Sequence, residues 1–260
     1  METLVKYTLI TGASEGIGLE LAKLFARDKH NIIIVARNVE KLKVVKESLE
    51  KEYKIKVEII AVDLTVDNAC EKIYKFVDEK KLIVDSLINN AGIGSFGYFN
   101  DEEEGFNDEI ININIKSLTH LTKYFLKDMV KRKEGRILNV ASTAAFTSGP
   151  KMAMYYATKA YVLSLTEALH EEGKVQGVTV SCLCPGPVRT TFQERAGIKK
   201  AEGAKKYLMD SNKVAEIAYK DLNKGKAIII PGFKNKILIL GNKLIPRAIS
   251  RKIILKNNKG

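Results

Sequence analysis

The sequence predicts a single doubly wound α/β domain around a parallel sheet. Three observations carry that expectation: seven short apolar runs, amphipathic stretches between them, and no repeat or low-complexity linker dividing the chain. The runs are YTLIT (7–11), NIIIVA (31–36), KVEIIAV (56–62), DSLINN (85–90), GRILNVAS (135–142), GVTVSCLCP (177–185) and KAIIIPG (226–232). Being nearly continuous in apolar character, they have the habit of strands covered on both faces, as in parallel sheets. A chain of 260 residues with 45% hydrophobic content can bury one sizeable core.

The first run ends in Thr11-Gly12-Ala13-Ser14-Glu15-Gly16-Ile17-Gly18, and the amphipathic stretch GLELAKLFARD (18–28) begins at once. Glycines allow a tight turn and close approach of backbone N–H groups to a pyrophosphate, while the helix N-terminus adds positive partial charge. Strand before and helix after is the context such a motif requires. The second run ends at Ala36-Arg37. A carboxylate there would bind an adenosine ribose and repel a 2′-phosphate, whereas a guanidinium pairs with phosphate, so NADP(H) is expected over NAD(H).

Helical patterns follow at EKLKVVKESLEKEY (40–53) and NACEKIYKFVDEK (68–80). The acidic segment DEEEGFNDE (101–109) is expected to open the long helix IININIKSLTHLTKYFLKDMVK, where negative charge favours the N-terminus. After the fifth run, Tyr155 and Lys159 stand four apart on a predicted helix and so project from one face. A free phenol titrates at about 10, and an ammonium beside it stabilises phenolate, making the phenol a stronger acid. Tyr156 has only Ala160 four residues on.

In the sixth run, Val178, Val180, Cys182 and Cys184 alternate onto one strand face as small core residues. The C-x-C spacing lacks partners for zinc, so no metal is expected, and three cysteines without a spacing ladder argue against a disulfide framework. Residues 190–209, TTFQERAGIKKAEGAKKYLM, form a basic insertion immediately after a strand's carboxyl end, the place of a substrate lid or of a plain surface helix.

Lys and Arg number 43 against 31 Asp and Glu, a formal charge of +12. They are spread along the chain, which reads as a solvated basic surface with no nucleic-acid partner. The start, METLVKYTLITG, lacks the features of a secretory signal, and no apolar run reaches the roughly 20 residues a membrane-spanning helix needs, so a cytoplasmic protein is expected.

Thr11-Gly12-x-x-x-Gly16-x-Gly18, Asn89-Asn90-Ala91-Gly92, Asn114, Ser142, Tyr155-x-x-x-Lys159 and Pro185-Gly186 occur in the order and spacing of the classical short-chain dehydrogenases/reductases. Over most of its length, from about residue 3 to about residue 232, the chain resembles that family, and several independent motifs agree. The resemblance implies one Rossmann domain with a seven-stranded parallel sheet over residues 1–232, followed by a C-terminal extension, residues 233–260.

By the same resemblance Tyr155 is the general acid/base, Lys159 lowers its pKa and binds the nicotinamide ribose, and Ser142 hydrogen-bonds the substrate oxygen. Asn114 is similar to the asparagine that holds a water linking the lysine to solvent. The dinucleotide would be held by Gly12, Ser14, Glu15, Gly16, Ile17 and Gly18, with Arg37 at the adenosine end. Asp63 and Leu64 resemble an adenine-contacting pair, Asn90, Ala91 and Gly92 a turn under the adenosine side, and Pro185, Gly186, Val188 and Thr190 the segment that orients the carboxamide. Two departures stand out: Glu15 occupies a place where many NADP-preferring relatives have a basic residue, and the serine motif reads Ala141-Ser142-Thr143.

The activity implied is NADPH-dependent interconversion of a carbonyl and a secondary alcohol. A non-catalytic dinucleotide-binding regulator on the same fold is the alternative, and the intact Ser142, Tyr155 and Lys159 set argues against it. Residues around Ile93 to Phe96, Ala144 to Met154 and Phe192 would make an apolar pocket without a fixed Arg or Lys, suited to a hydrophobic ketone, aldehyde or 3-oxoacyl group. The family commonly forms homodimers or homotetramers through the helices carrying Asn114 and Tyr155. The extension interleaves apolar residues with eight Lys and Arg. Packing on its own domain or a neighbouring subunit is expected, with an amphipathic helix on an anionic bilayer as the alternative.

Overall fold

A computed structural model describes residues 5–197 and 208–258. All seven predicted runs are strands of one parallel sheet: β1 (Lys6–Thr11), β2 (Asn31–Ala36), β3 (Val57–Ala61), β4 (Ile83–Asn89), β5 (Gly135–Val140), β6 (Val178–Leu183) and, shortened to two residues, the edge strand Ile228–Ile229. The edge strand is β9 in chain order, because a small parallel pair, β7 (Val188–Arg189) with β8 (Met209–Asp210), lies off the main sheet. The sheet order is β3-β2-β1-β4-β5-β6-β9. The order reverses between β1 and β4, and ligands of open α/β sheets bind at such a switch point, beyond the carboxyl ends of the strands.

Residues buried on both faces explain the continuous apolar runs. Ile32 and Ile34 enter the core beneath α1 (Gly16–Arg27), α2 (Val39–Tyr53) and α8 (Ser211–Leu222), whereas Ile33 and Val35 face the opposite layer. That second layer holds α3 (Ala69–Glu79), α5 (Leu118–Arg132) and α6 (Ala153–Lys174). Cys182 and Cys184 share its face, both fully buried, with their Sγ atoms 3.6 Å apart.

The acidic segment precedes a helix that starts at Phe106, with Asp108 and Glu109 in its first turn. The helix does not run uniformly: between α4 (Phe106–Ile111) and α5, residues Asn112–Ser117 widen into a π-helical stretch. Such wide turns are frequent at functional sites, and this one carries Asn114.

Beyond β6 the chain forms the short helix α7 (Phe192–Arg195). Residues 198–207 of the expected lid lie outside the described residues. The C-terminal extension is two helices, α9 (Phe233–Leu244) and α10 (Arg247–Asn257). Pro246 divides them, because a proline drives the preceding residue, here Ile245 at φ −89° and ψ 136°, out of helical conformation. Both helices fold back on the domain. Asn242 donates to the Phe146 carbonyl (3.3 Å), Ser250 donates to Asn242 (2.5 Å) and shares a hydrogen bond with Thr147 (3.1 Å), and Asn258 donates to the Pro150 carbonyl (2.8 Å).

Candidate active site

The turn after β1 is built on two left-handed glycines, Gly12 (φ +66°) and Gly16 (φ +60°). A Cβ on Gly18 would strike the Gly12 carbonyl oxygen and stand 2.5 Å from Asn90 Nδ2, so helix α1 reaches the turn only because residue 18 has no side chain. Asn90 ties the turn to the end of β4, its Nδ2 donating to the carbonyls of Thr11 (3.0 Å) and Gly12 (3.1 Å). Thr11 Oγ1 in turn accepts from the N–H groups of Asn90 and Ala91, both at 3.0 Å. Two strand ends are thereby fixed around one opening.

A cleft of about 980 Å³ lies over this opening. Gly12, Ser14, Glu15, Gly16, Ile17 and Arg37 line one end. Helix α1 has no side-chain cap at its N-terminus, which leaves the cleft end of the helix suited to an anion. The size, the glycine cradle and the uncapped helix fit a dinucleotide pyrophosphate. Asn90, Ala91 and Gly92 line the middle, with Pro185, Gly186, Val188 and Thr190 opposite.

Four expected residues stand outside the lining: Gly18, Asp63, Leu64 and Asn114. Gly18 supports the turn from behind. Leu64 is buried in the core, and Asp63 Oδ1 accepts from both N and Oγ1 of Thr65 (2.9 and 2.8 Å). Burial would raise the Asp63 carboxyl, but those two bonds and Arg37 hold it below its ordinary range. The exposed Arg37 guanidinium is 3.8 Å from Asp63 Oδ2.

Glu15 is held from three sides: Thr191 Oγ1 donates to it (2.8 Å), Lys41 Nζ lies at 3.3 Å, and Arg195 forms an ion pair with it. Burial acts to raise its carboxyl, yet Thr191, Lys41 and Arg195 together keep it below the usual range. Sequence reasoning missed these three partners, since nothing in spacing joins residue 15 to residues 191 and 195.

At the other end Ser142 follows β5, and α6 presents Tyr155 and Lys159. Ser142 Oγ accepts from Ala144 N (3.1 Å), and its hydroxyl donates to the Pro185 carbonyl (3.4 Å). Lys159 is buried, and its Nζ donates to the Val140 carbonyl at 2.9 Å and lies 5.7 Å from the Tyr155 ring centroid. The ring also meets Phe192 at 5.4 Å, and Gly94 lies so close that a Cβ there would be 2.9 Å from it.

Burial pushes the Tyr155 phenol up to about 12, with the Ser142 hydroxyl working in the opposite direction. Burial likewise drives Lys159 down to about 8, against the nearby Cys182 and Cys184 thiols. Desolvation thus disfavours both charged forms, the phenolate and the ammonium.

Asn114 lies directly behind this group. Its Oδ1 accepts from Ile93 N (3.0 Å), and its Nδ2 donates to Ile93 O (2.9 Å) and Thr158 Oγ1 (3.0 Å). Thr158 Oγ1 donates onward to the Tyr155 carbonyl (2.9 Å).

Phe96, Phe106, Met152, Tyr156 and Phe192 give the remaining walls their apolar character. Among the basic residues lining the cleft, Arg195 is paired with Glu15 at the dinucleotide end, and Lys256 of the C-terminal extension adds a side chain that the expected pocket did not include. Lys256 arrives from the extension, whose packing on its own domain was expected but whose reach into the cleft was not. Ser95, expected in the pocket, instead donates to Glu102 (2.5 Å).

The family model for the short chain dehydrogenases matches residues 6–201. Oxidoreductase UcpA of Escherichia coli is 35% identical over 190 residues, 73% of this chain and 72% of that protein. A very-long-chain 3-oxoacyl-CoA reductase-like protein of Arabidopsis thaliana is 36% identical over 202 residues, 75% of this chain and 64% of that one. Among solved structures, a short-chain dehydrogenase from Sphingobium yanoikuyae in complex with NADPH superposes with a TM-score of 0.81 at 31% identity, covering 88% of each chain. With these matches and a glycine-cradled cleft at the switch point of a seven-stranded parallel sheet, the chain belongs to the short-chain dehydrogenase/reductase family.

Proposed function

We propose that the protein interconverts a carbonyl and a secondary alcohol with NADP(H), acting on a hydrophobic ketone, aldehyde or 3-oxoacyl substrate. The observation that carries this reading is the convergence of Ser142, Tyr155 and Lys159 on one cleft whose other end is the Gly12–Gly16 turn. A bound nicotinamide supplies or accepts the hydride at the carbonyl carbon.

The chain's own residues manage the oxygen. In the reducing direction the Tyr155 phenol gives its proton to the substrate oxygen while the Ser142 hydroxyl donates a hydrogen bond to it, stabilising the charge that develops there. Lys159 provides a buried cation one turn along α6, which binds the nicotinamide ribose and favours the phenolate that proton donation leaves behind. Asn114 positions the group by gripping the Ile93 backbone and, through Thr158, the Tyr155 carbonyl. Run backwards, the same groups oxidise an alcohol.

NADP(H) is favoured over NAD(H) by Arg37 at the adenosine end of the cleft. The carboxylate of Glu15 is offset by its own cations, Lys41 and Arg195. The NADPH complex of the Sphingobium relative supports the same choice, and the very-long-chain 3-oxoacyl-CoA reductase-like relative supports a substrate with a long apolar body. The aromatic and Met152 walls of the pocket agree with it.

The test is oxidation of NADPH against a panel of ketones, aldehydes and 3-oxoacyl thioesters, with Tyr155→Phe as reference. Turnover that the variant loses is the expected result. NADPH binding with no turnover above the variant would instead make the protein a non-catalytic dinucleotide binder.

A further inference from the structure

The extension buries one side of α9 and leaves the other bare. Asn235, Ile239 and Asn242, at i, i+4 and i+7, face the domain, where Asn235 donates to the Pro231 carbonyl (2.7 Å) and Ile239 is buried. At about 100° per residue the opposite face carries Phe233, Ile237, Leu240 and Leu244, a stripe at i, i+4, i+7 and i+11. These four are 77%, 53%, 62% and 80% exposed. Lys236 and Lys243 run along one flank of the stripe, and Lys234 stands on the other. In α10, Ile249 and Ile253 are also exposed, one turn apart, with Arg251 and Lys252 beside them.

Scattered exposed apolar residues need no explanation, but a contiguous helical stripe of them does. Charge decides what covers it. Residues 233–260 hold eight Lys and Arg and no Asp or Glu. A second copy seated on the stripe would bring two such cationic segments together, whereas an anionic lipid surface offers the apolar layer and the opposite charge at once. Among the described residues no helix is long and apolar enough to cross a membrane, so the contact is one that lies in the interface.

We infer that α9 and α10 form a docking surface for an anionic lipid bilayer, with the Phe233-Ile237-Leu240-Leu244 stripe entering the acyl boundary and Lys236 and Lys243 on the headgroups. The same hairpin carries Lys256 and Asn258 to the cleft and is bolted to the segment after Ser142 through Asn242, Ser250 and Thr147. Docking therefore brings the substrate end of the cleft to the lipid, from which a hydrophobic substrate would enter; this last step rests on the function proposed above.

The experiment is co-sedimentation of the full chain with vesicles of phosphatidylcholine alone or with a third phosphatidylserine, at low and high salt. Binding to the anionic vesicles is expected to exceed that to the neutral ones by about tenfold and to fall with salt. Two variants separate the contributions: Ile237→Ser/Leu240→Ser/Leu244→Ser, and Lys236→Glu/Lys243→Glu. Both change exposed side chains, and an unchanged thermal midpoint and NADPH affinity verify their folding. Each is expected to lose about tenfold in vesicle binding. A wild-type protein that ignores anionic vesicles, or variants that bind as well as wild type, would overturn the proposal. A dimer that dissociates with the serine variant while vesicles are ignored would assign the stripe to a second copy. Vesicle binding is read without turnover, so its failure leaves the oxidoreductase reading untouched, and an inactive protein that binds vesicles would sink only the latter.

Discussion

Lys159 Nζ is 5.7 Å from the centre of the Tyr155 ring and donates 2.9 Å to the Val140 carbonyl, which fixes an ammonium beneath the phenol at the end of β5. Burial gives that ammonium a value of about 8, below its ordinary 10.5. The sign follows: above about pH 8 the folded protein has released a proton that the unfolded chain still binds, so this group's contribution to stability rises with pH between the two values. Binding goes the other way. NADPH affinity is expected to fall as pH rises through about 8, because the cation proposed to bind the nicotinamide ribose is lost. Fluorescence titrations of NADPH on both sides of that pH check it. The Lys159→Met protein should show weaker binding and no inflection there.

Tyr155→Phe keeps the ring that meets Phe192 and removes the hydroxyl with its transferable proton. Loss of a positioned acid costs about 10²–10⁴ in rate, so turnover should fall by that much with NADPH affinity nearly unchanged. Ser142→Ala should cost about 10²–10³, the range for one donor to a developing oxyanion. Single-turnover kinetics would distinguish either from a loss of binding. A Ser142→Ala protein as active as wild type would remove Ser142 from the mechanism.

The seven strands and the glycine turn were legible because they obey local rules: apolar runs buried on both faces, and φ values that only glycine adopts easily. Spacing put Tyr155 and Lys159 on one helix face, while Ser142 entered only through the family resemblance; the structure brings the three to one cleft. The Glu15 partnership with Thr191 and Arg195 was not, since it joins residues some 176 positions apart through side chains alone. The π-helical stretch around Asn114 has no composition of its own. The placement of Lys256 in the cleft depends on how the extension folds at Pro246, and the turn signal there does not say which face will be covered.

Arg37 is exposed, and its only described ion pair, with Asp63 at 3.8 Å, is loose enough for the guanidinium to turn toward a phosphate. Arg37→Ala is expected to weaken NADPH binding at least tenfold while leaving NADH binding within about twofold, the asymmetry of a charge-assisted contact that only the 2′-phosphate makes. Equal losses for both dinucleotides, measured by calorimetry, would show that Arg37 is not the phosphate clamp.

Asn114 is 1% exposed and uses both ends of its amide on Ile93 and Thr158. Asn114→Ala leaves the Ile93 N–H and C=O unpartnered behind the cleft, at a cost of about 1–3 kcal/mol for a buried group left unsatisfied. That loss alone would fit a merely structural residue. Asn114→Asp separates the two roles. A carboxylate can still accept from Ile93 N but cannot donate to Ile93 O or Thr158, and it places a negative charge close to Lys159: the Asn114 and Lys159 head groups both lie 3.2 Å from the point a Cβ on Gly92 would take. An anion there stabilises the ammonium and raises its pKa. The pH at which NADPH affinity declines should therefore move upward from about 8 in Asn114→Asp, whereas in Asn114→Ala it should stay in place while stability falls. An inflection that does not move in the aspartate variant would mean that Asn114 shapes the backbone without acting on Lys159.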